Sequence, residues 1–247
     1  MPLKAKKTSL KEILHFRHQY LQENNFQIRY DACHERGWSD SYLLSDDRMP
    51  VGYGSVKGKG NLADRDAVFE FYLLPHHRRE SNQFYHSLLT TSQARFMECQ
   101  TNDFLHAAMV FEFGKGIRSD TILFSDHSTT RLQVPNAEVR LRRDSDIIFE
   151  KYKDPGAYVL LVHEEVVASA GFLLHYNMPF ADLYMEVRPD FRGHGYGAYI
   201  LQEVKKHCYA AGRVPAARCS IKNPASRASL LNAGLRICGY MLWAKFK

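Results

Sequence analysis

Cysteine is sparse in this sequence, and what there is lacks pattern: Cys33, Cys99, Cys208, Cys219 and Cys238 are odd in number and never spaced as C-x-x-C. That excludes an obvious disulfide framework or zinc ribbon and fits a reduced, cytoplasmic setting. Long apolar runs are missing too. Nowhere do eighteen apolar residues follow one another, and the basic start MPLKAKKTSL leads into no apolar stretch, so neither a membrane span nor secretion is expected. The patterns H-E-x-x-H, G-x-S-x-G and G-x-x-x-x-G-K-[ST] are absent, which removes the sequence marks of a zinc hydrolase, a nucleophile elbow and a P-loop. His76 and His77 are adjacent, but neighbouring histidines on a turn read as solvated, and no metal site is expected.

Acidic residues run out before the end of the chain, the last being Glu203. The net charge of +6 therefore divides unevenly: residues 1–124 hold 16 basic and 15 acidic side chains, and residues 125–247 hold 17 and 12. The excess belongs to the C-terminal half and favours an anionic ligand. Nucleic acid is not the expected one, because no block of Lys and Arg interleaved with aromatics is present.

What is there reads as two successive α/β series within 247 residues. Residues 9–25 carry a near 3.6-residue period (Leu10, Ile13, Leu14, Phe16 or Arg17, and Leu21) behind Ser9 and Glu12, a capping-box pair. Residues 41–47 and 51–58 read as a hairpin, 67–74 as a strand stopped by Pro75, 82–99 as a helix, and 104–113 as another strand. Between Gly114 and Pro135 the pattern weakens, and a connector with a domain boundary near 130 is expected there. Strands are then expected at 139–143, 157–165, 166–176 and 180–187. A helix from about Tyr196 puts Gly197, Leu201, Val204, Cys208 and Ala211 on one face and ends at Gly212, and a strand (216–221), a helix (224–233) and a last strand (235–246) follow.

The segment that carries chemistry is Val187-Arg-Pro-Asp-Phe-Arg-Gly-His-Gly-Tyr-Gly-Ala198, between a strand and a helix. Glycines at 193, 195 and 197 let backbone approach a ligand, and the first helical turn presents free N–H groups to an anion. The same residues fit G-x-G-x-x-A, but a dinucleotide unit needs its first glycine directly after the strand and an acid about twenty residues on. Five residues intervene after Val187, and no acid lies beyond Glu203.

Arg192-x-x-Gly195-x-Gly197 after a strand ending in Val-x-Pro resembles the acyl-CoA motif of the GNAT N-acetyltransferases. Asn223-Pro-Ala-Ser226, Leu230-Leu231-Asn-Ala-Gly234-Leu235 and Gly239-Tyr240 resemble that family's second signature, in family order, over about residues 139–247. The resemblance implies an α/β fold in which a central mixed β-sheet, flanked by helices, opens a splayed acyl-CoA cleft. It implies that main chain around Glu186 and Val187 pairs with the pantetheine arm, that N–H groups from Arg192 through Gly193, His194, Gly195, Tyr196 and Gly197 to Ala198 hold the pyrophosphate, and that Asn223 and Ser226 lie along acetyl-CoA. For Asn223 and Ser226 a plain helix-cap role stays open.

The N-terminal half resembles the same fold more faintly, and its turn Pro75-His-His-Arg-Arg-Glu-Ser-Asn82 has no glycine. A tandem arrangement is expected: a degenerate unit over 1–130 and an acetyltransferase domain over 131–247, as a monomer or homodimer. The implied reaction moves an acetyl group from acetyl-CoA to an amine, small molecule or peptide, by direct transfer. Glu186 is the candidate base, with apolar neighbours to raise its pKa, and Tyr184 is its candidate partner on one strand face; pairing of Glu186 with Arg188 stays open. The family's usual acid is a tyrosine where Leu230 stands here. That departure keeps a second reading alive, an acyl-CoA sensor or scaffold that does not turn over.

Overall fold

The computed structural model describes residues 3–24, 26–27, 29, 31–146 and 156–247. The chain forms two compact units, one of Met1–Phe26, Tyr30–Asp120 and Gly239–Lys247, the other of Gln27–Arg29 and Thr121–Cys238. The division departs from a single break near 130, because the end of the last strand belongs to the first unit.

In the first unit the elements are β1 (Leu3–Thr8), α1 (Leu10–Glu23), α2 (Asp31–Glu35), β2 (Ser39–Asp46), β3 (Met49–Lys57), β4 (Ala67–Leu73), α3 (Ser81–Ser92), β5 (Phe96–Gln100) and α4 (Phe104–Phe113). The strands lie in the order β1-β2-β3-β4-β5, and residues 241–245 of β12 (Leu235–Phe246) pair antiparallel with β5. The expected helix at 10–23 forms, with the Glu12 carboxylate accepting from the Ser9 N–H at 3.3 Å. Its inner face is Ile13, Phe16, Arg17 and Tyr20, while Leu14 is exposed.

Three expectations fail here. The helix expected over 82–99 ends at Ser92, where Gln93 turns left-handed (φ 57°), and Phe96 starts a strand. Residues 104–113 are helix, not strand, with the Asp103 carboxylate accepting from the His106 N–H at 3.1 Å as the N-cap. The expected connector contains a 13-residue strand, β6 (Gly114–Asp126).

In the second unit, β7 (Ala137–Leu141), β8 (Tyr158–Val162), β9 (Glu165–Leu173), β10 (Phe180–Val187), α5 (Tyr196–Ala210), β11 (Val214–Ser220) and α6 (Pro224–Asn232) follow the expected order. The strand order is β6-β11-β10-β9-β8-β7, antiparallel except for the parallel pair β10 and β11. Leu183 of β10, Ala217 and Cys219 of β11, and Leu201, Val204 and Cys208 of α5 share one apolar core, whose burial drives the docking of α5 onto the sheet. Alternation along the strands then sends Asp182, Tyr184, Glu186 and Arg218 to the opposite face. Among the described residues no helix is long and apolar enough to cross a membrane.

Candidate active site

The parallel ladder between β10 and β11 runs only from Phe180↔Val214 to Leu183↔Ala217, yet β10 continues to Val187 and β11 to Ser220. Beyond Leu183 the two strands fork. On the α5 side of the fork lies a cleft of 470 Å³. Small residues make it: Gly197 and Ala198 on α5 face Ala225, Ser226, Ala228 and Ser229 on α6. A methyl group at Gly197 would meet Ser229 Oγ at 2.8 Å and Met185 Cε at 3.2 Å, so any larger residue there would narrow the groove.

The turn into α5 is built by backbone that needs glycine. Gly193 and Gly195 have φ of +84° and +81°, and Gly195 is the N-cap of α5. A Cβ at either position would meet nothing within 4 Å, so both glycines border open space at the positive end of the helix. Tyr199 N–H donates to Gly195 O, leaving the amides before it for an anion. Arg192 holds the turn to the strand: its Nε donates to Val187 O at 3.1 Å and its Nη2 lies 3.9 Å from Glu186 Oε1.

Of the residues expected at the site, Glu186, Val187, Arg192, Gly193, Gly195, Tyr196, Gly197, Ala198, Asn223 and Ser226 line this one cleft. His194 turns away, its Nδ1 3.3 Å from Phe191 O and its ring stacked with Tyr196. Asn223 caps α6, its Oδ1 accepting from Ser226 N–H at 3.0 Å, so the cap reading is fulfilled at the edge of the cleft. Tyr184 lies over Gly171 of β9, where a Cβ would come within 2.6 Å of the phenol oxygen. Glu186 is not packed among apolar side chains as its sequence neighbours suggest, because Leu183 and Met185 point to the other face. Its side chain keeps 20% exposure, with Oε2 buried and unbonded, and its ionic neighbour is Arg192; Arg188 instead pairs with Glu165 at 2.5 Å. Leu230, at the position of the family's tyrosine, is buried in the core.

Asp182, two residues before Tyr184 on the same face of β10, is a carboxylate that the sequence does not single out. The carboxyl is 5% exposed, and burial raises its pKa to about 6 although Arg218 Nε sits 3.0 Å away. Its Oδ1 is buried without a hydrogen-bond partner. Arg218 Nη2 donates to the Tyr176 hydroxyl, and the guanidinium lies over the Tyr176 ring at 5.2 Å. Nothing in the sequence brings positions 176, 182 and 218 together; the β10–β11 register does.

The first unit repeats this frame with the cleft filled. Arg78 Nε donates to Leu73 O at 3.1 Å, as Arg192 does to Val187. The β4–β5 ladder also ends early, at Val68↔Met97. Between α3 and α4, however, Tyr85 and His106 are fully buried and joined at 3.0 Å, and Phe71 meets the Tyr85 ring edge-on at 4.8 Å. Aromatic side chains occupy the groove that Gly, Ala and Ser leave open in the second unit.

Comparisons with known proteins agree with this geometry. The model of the GNAT acetyltransferase domain matches residues 9–127, and that of the GNAT acetyltransferase family matches residues 126–231. Among solved structures, an acetyltransferase of the GNAT family from Colwellia psychrerythraea is 15% identical with a TM-score of 0.76, over 99% of this chain and 100% of that one. A tandem GNAT protein from the clavulanic acid biosynthesis pathway is 10% identical with a TM-score of 0.61, over 99% and 98% of the two chains. A GCN5-related N-acetyltransferase from Sphaerobacter thermophilus is 12% identical with a TM-score of 0.61, over 98% and 95%. At such identities the likeness is one of fold. No curated protein matches the sequence. With two family models end to end over most of its length and a forked, glycine-gated cleft in the second unit, the chain belongs to the GNAT acetyltransferase superfamily.

Proposed function

We propose that the second unit transfers an acetyl group from acetyl-CoA to a primary amine by direct attack in a ternary complex. One observation carries this reading: the cleft bounded by the α5 N-terminus and small α6 residues leads to a fork between β10 and β11 whose far face bears a buried carboxylate with an unfilled acceptor atom. The donor's pyrophosphate takes the amides from Gly193 to Ala198, since the Arg192 N–H donates to Pro189 O at 3.3 Å; its pantetheine arm follows the freed edge of β10 at Glu186 and Val187, and its thioester enters the fork.

Asp182 and Glu186 both stand on the acceptor face, and Asp182, with its pKa raised to about 6 by burial, is suited to take the acceptor's proton. An ammonium that donates to Asp182 Oδ1 loses a proton there and becomes the nucleophile. As its nitrogen bonds to the thioester carbon, the C–S bond breaks and the sulfur leaves with the electron pair. The second proton of the nitrogen passes to the thiolate, and Asp182 returns the first to solvent. Glu186, nearer the cleft, is the second carboxylate on this path.

Release of free CoA thiol, followed with acetyl-CoA and a broad amine panel, tests the proposal. Turnover with at least one amine, yielding an N-acetyl product by mass, is expected. Tight acetyl-CoA binding without turnover of any amine would instead make the protein a sensor.

A further inference from the structure

Resting on that reading, we propose that the Arg192 side chain is a latch on the donor groove: it covers the strand edge that the donor's arm must take, and the donor's diphosphate draws it off. The Arg188 N–H donates to Val167 O at 2.9 Å, toward β9. Main-chain groups alternate sides along a strand, so the Val187 carbonyl points the other way, to the edge that β11 leaves free beyond Leu183. The pantetheine arm runs along that edge, yet Arg192 Nε already donates to Val187 O at 3.1 Å. The guanidinium also approaches Glu186, its Nη2 3.9 Å from Oε1, and so lies against the strand on the line of the arm. All three residues line the same cleft.

A latch differs from a fixed brace in how firmly the side chain is held, and the first unit supplies the brace. There Arg78 Nε donates to Leu73 O at 3.1 Å in the same way, but its Nη2 also bonds Glu23 at 2.5 Å and its guanidinium lies over the Tyr72 ring at 5.6 Å. Arg192, among the described residues, makes a single side-chain hydrogen bond, and its side chain is 59% exposed against 31% for Arg78. Leaving Val187 costs it one bond to an uncharged acceptor. A diphosphate offers charge-assisted bonds to a guanidinium in exchange, and the amides that seat it begin at the next residue, Gly193. An arm without phosphate offers no such exchange, so the donor's own charge clears its path.

Two donors that share the arm test this: acetyl-CoA, and acetyl-pantetheine, which carries no phosphate. Their dissociation constants are measured without any amine, by calorimetry for the first and ligand-observed NMR for the second, on the parent and on Arg192→Met. The variant should bind acetyl-pantetheine about 3–10-fold more tightly, because the strand edge is uncovered, and acetyl-CoA about tenfold less tightly, because the diphosphate has lost its cation. A brace would give no such opposite signs. Arg192→Ala, with the same pair of signs expected, serves where Arg192→Met does not fold. Affinities for the two donors that fall together in the folded variant, or that stay unchanged, overturn the latch and leave the transfer reading standing. A parent that binds no acetyl-CoA overturns both.

Discussion

Asp182 and Gly195 decide most at the scale of single residues. If Asp182 takes the acceptor's proton, kcat/KM should fall about tenfold per pH unit below pH 6, where the carboxyl becomes protonated. Asp182→Asn should remove that limb and lower kcat by on the order of 100-fold; an unchanged limb in the variant would assign it to another group. The contrast with Glu186 shows how far a strand can be read from its letters. Apolar neighbours at 183, 185 and 187 suggest burial, but period-two alternation turns Leu183 and Met185 away from Glu186, and it is Asp182, nearer the paired part of the ladder, that the fold encloses. The glycines of the turn were legible because left-handed backbone and close ligand approach both demand them.

Among the elements, α5, α6 and the strands around them follow their sequence patterns closely, since each buries one clear apolar face. The element α4 does not. FLHAAMVFEF is apolar almost throughout, so neither periodicity stands out, and its helical state is marked only by Asp103 at the N-cap. The end of α3 was hidden for a related reason, because its left-handed terminator is Gln93 rather than glycine. Likewise, β6 is polar and glycine-rich along much of its length, and its partner β11, with Ala216↔Ser125 to Ser220↔Thr121, gives it its ladder. A capping role for Asn223 has a measurable size. Asn223→Ala should cost about 1 kcal/mol in unfolding free energy by loss of the Oδ1 to Ser226 bond. Asn223→Asp should restore that stability, and acetyl-CoA affinity that fails to recover with it would assign the asparagine a ligand contact as well.

For the whole molecule, the tandem arrangement explains why one unit has lost the cleft without losing the frame. The first unit keeps the arginine-tied turn but fills its groove with Tyr85 and His106, and it buries charge elsewhere in its core. Glu70 is fully buried, bonded by Arg17 Nη2 at 3.0 Å, His34 Nε2 at 3.1 Å and the Tyr53 hydroxyl at 2.9 Å. Desolvation opposes its charge, but Arg17 and His34 prevail and hold the carboxyl well below its ordinary range. These pairs therefore add stability above the unfolded-state pKa of about 4.3 and lose it as the pH falls below that value. Glu70→Gln, which leaves buried Arg17 only the partly exposed Asp31 at 2.7 Å as counter-charge, should cost about 3 kcal/mol, read by urea unfolding at pH 7. The variant should also show a flatter loss of stability on acidification than the parent.

The central claim, one acyl-CoA site per chain at the α5 turn, is tested most directly by titrating acetyl-CoA onto the parent protein and onto Gly195→Trp in a calorimeter. A side chain at position 195 meets no protein atom within 4 Å of its Cβ, so the tryptophan projects into the cleft at a backbone cost of about 1–2 kcal/mol. The parent should bind a single equivalent, and the variant, with an unchanged circular dichroism spectrum, should bind none that can be measured. Unchanged affinity in the folded variant, or two equivalents bound by the parent, would contradict the account.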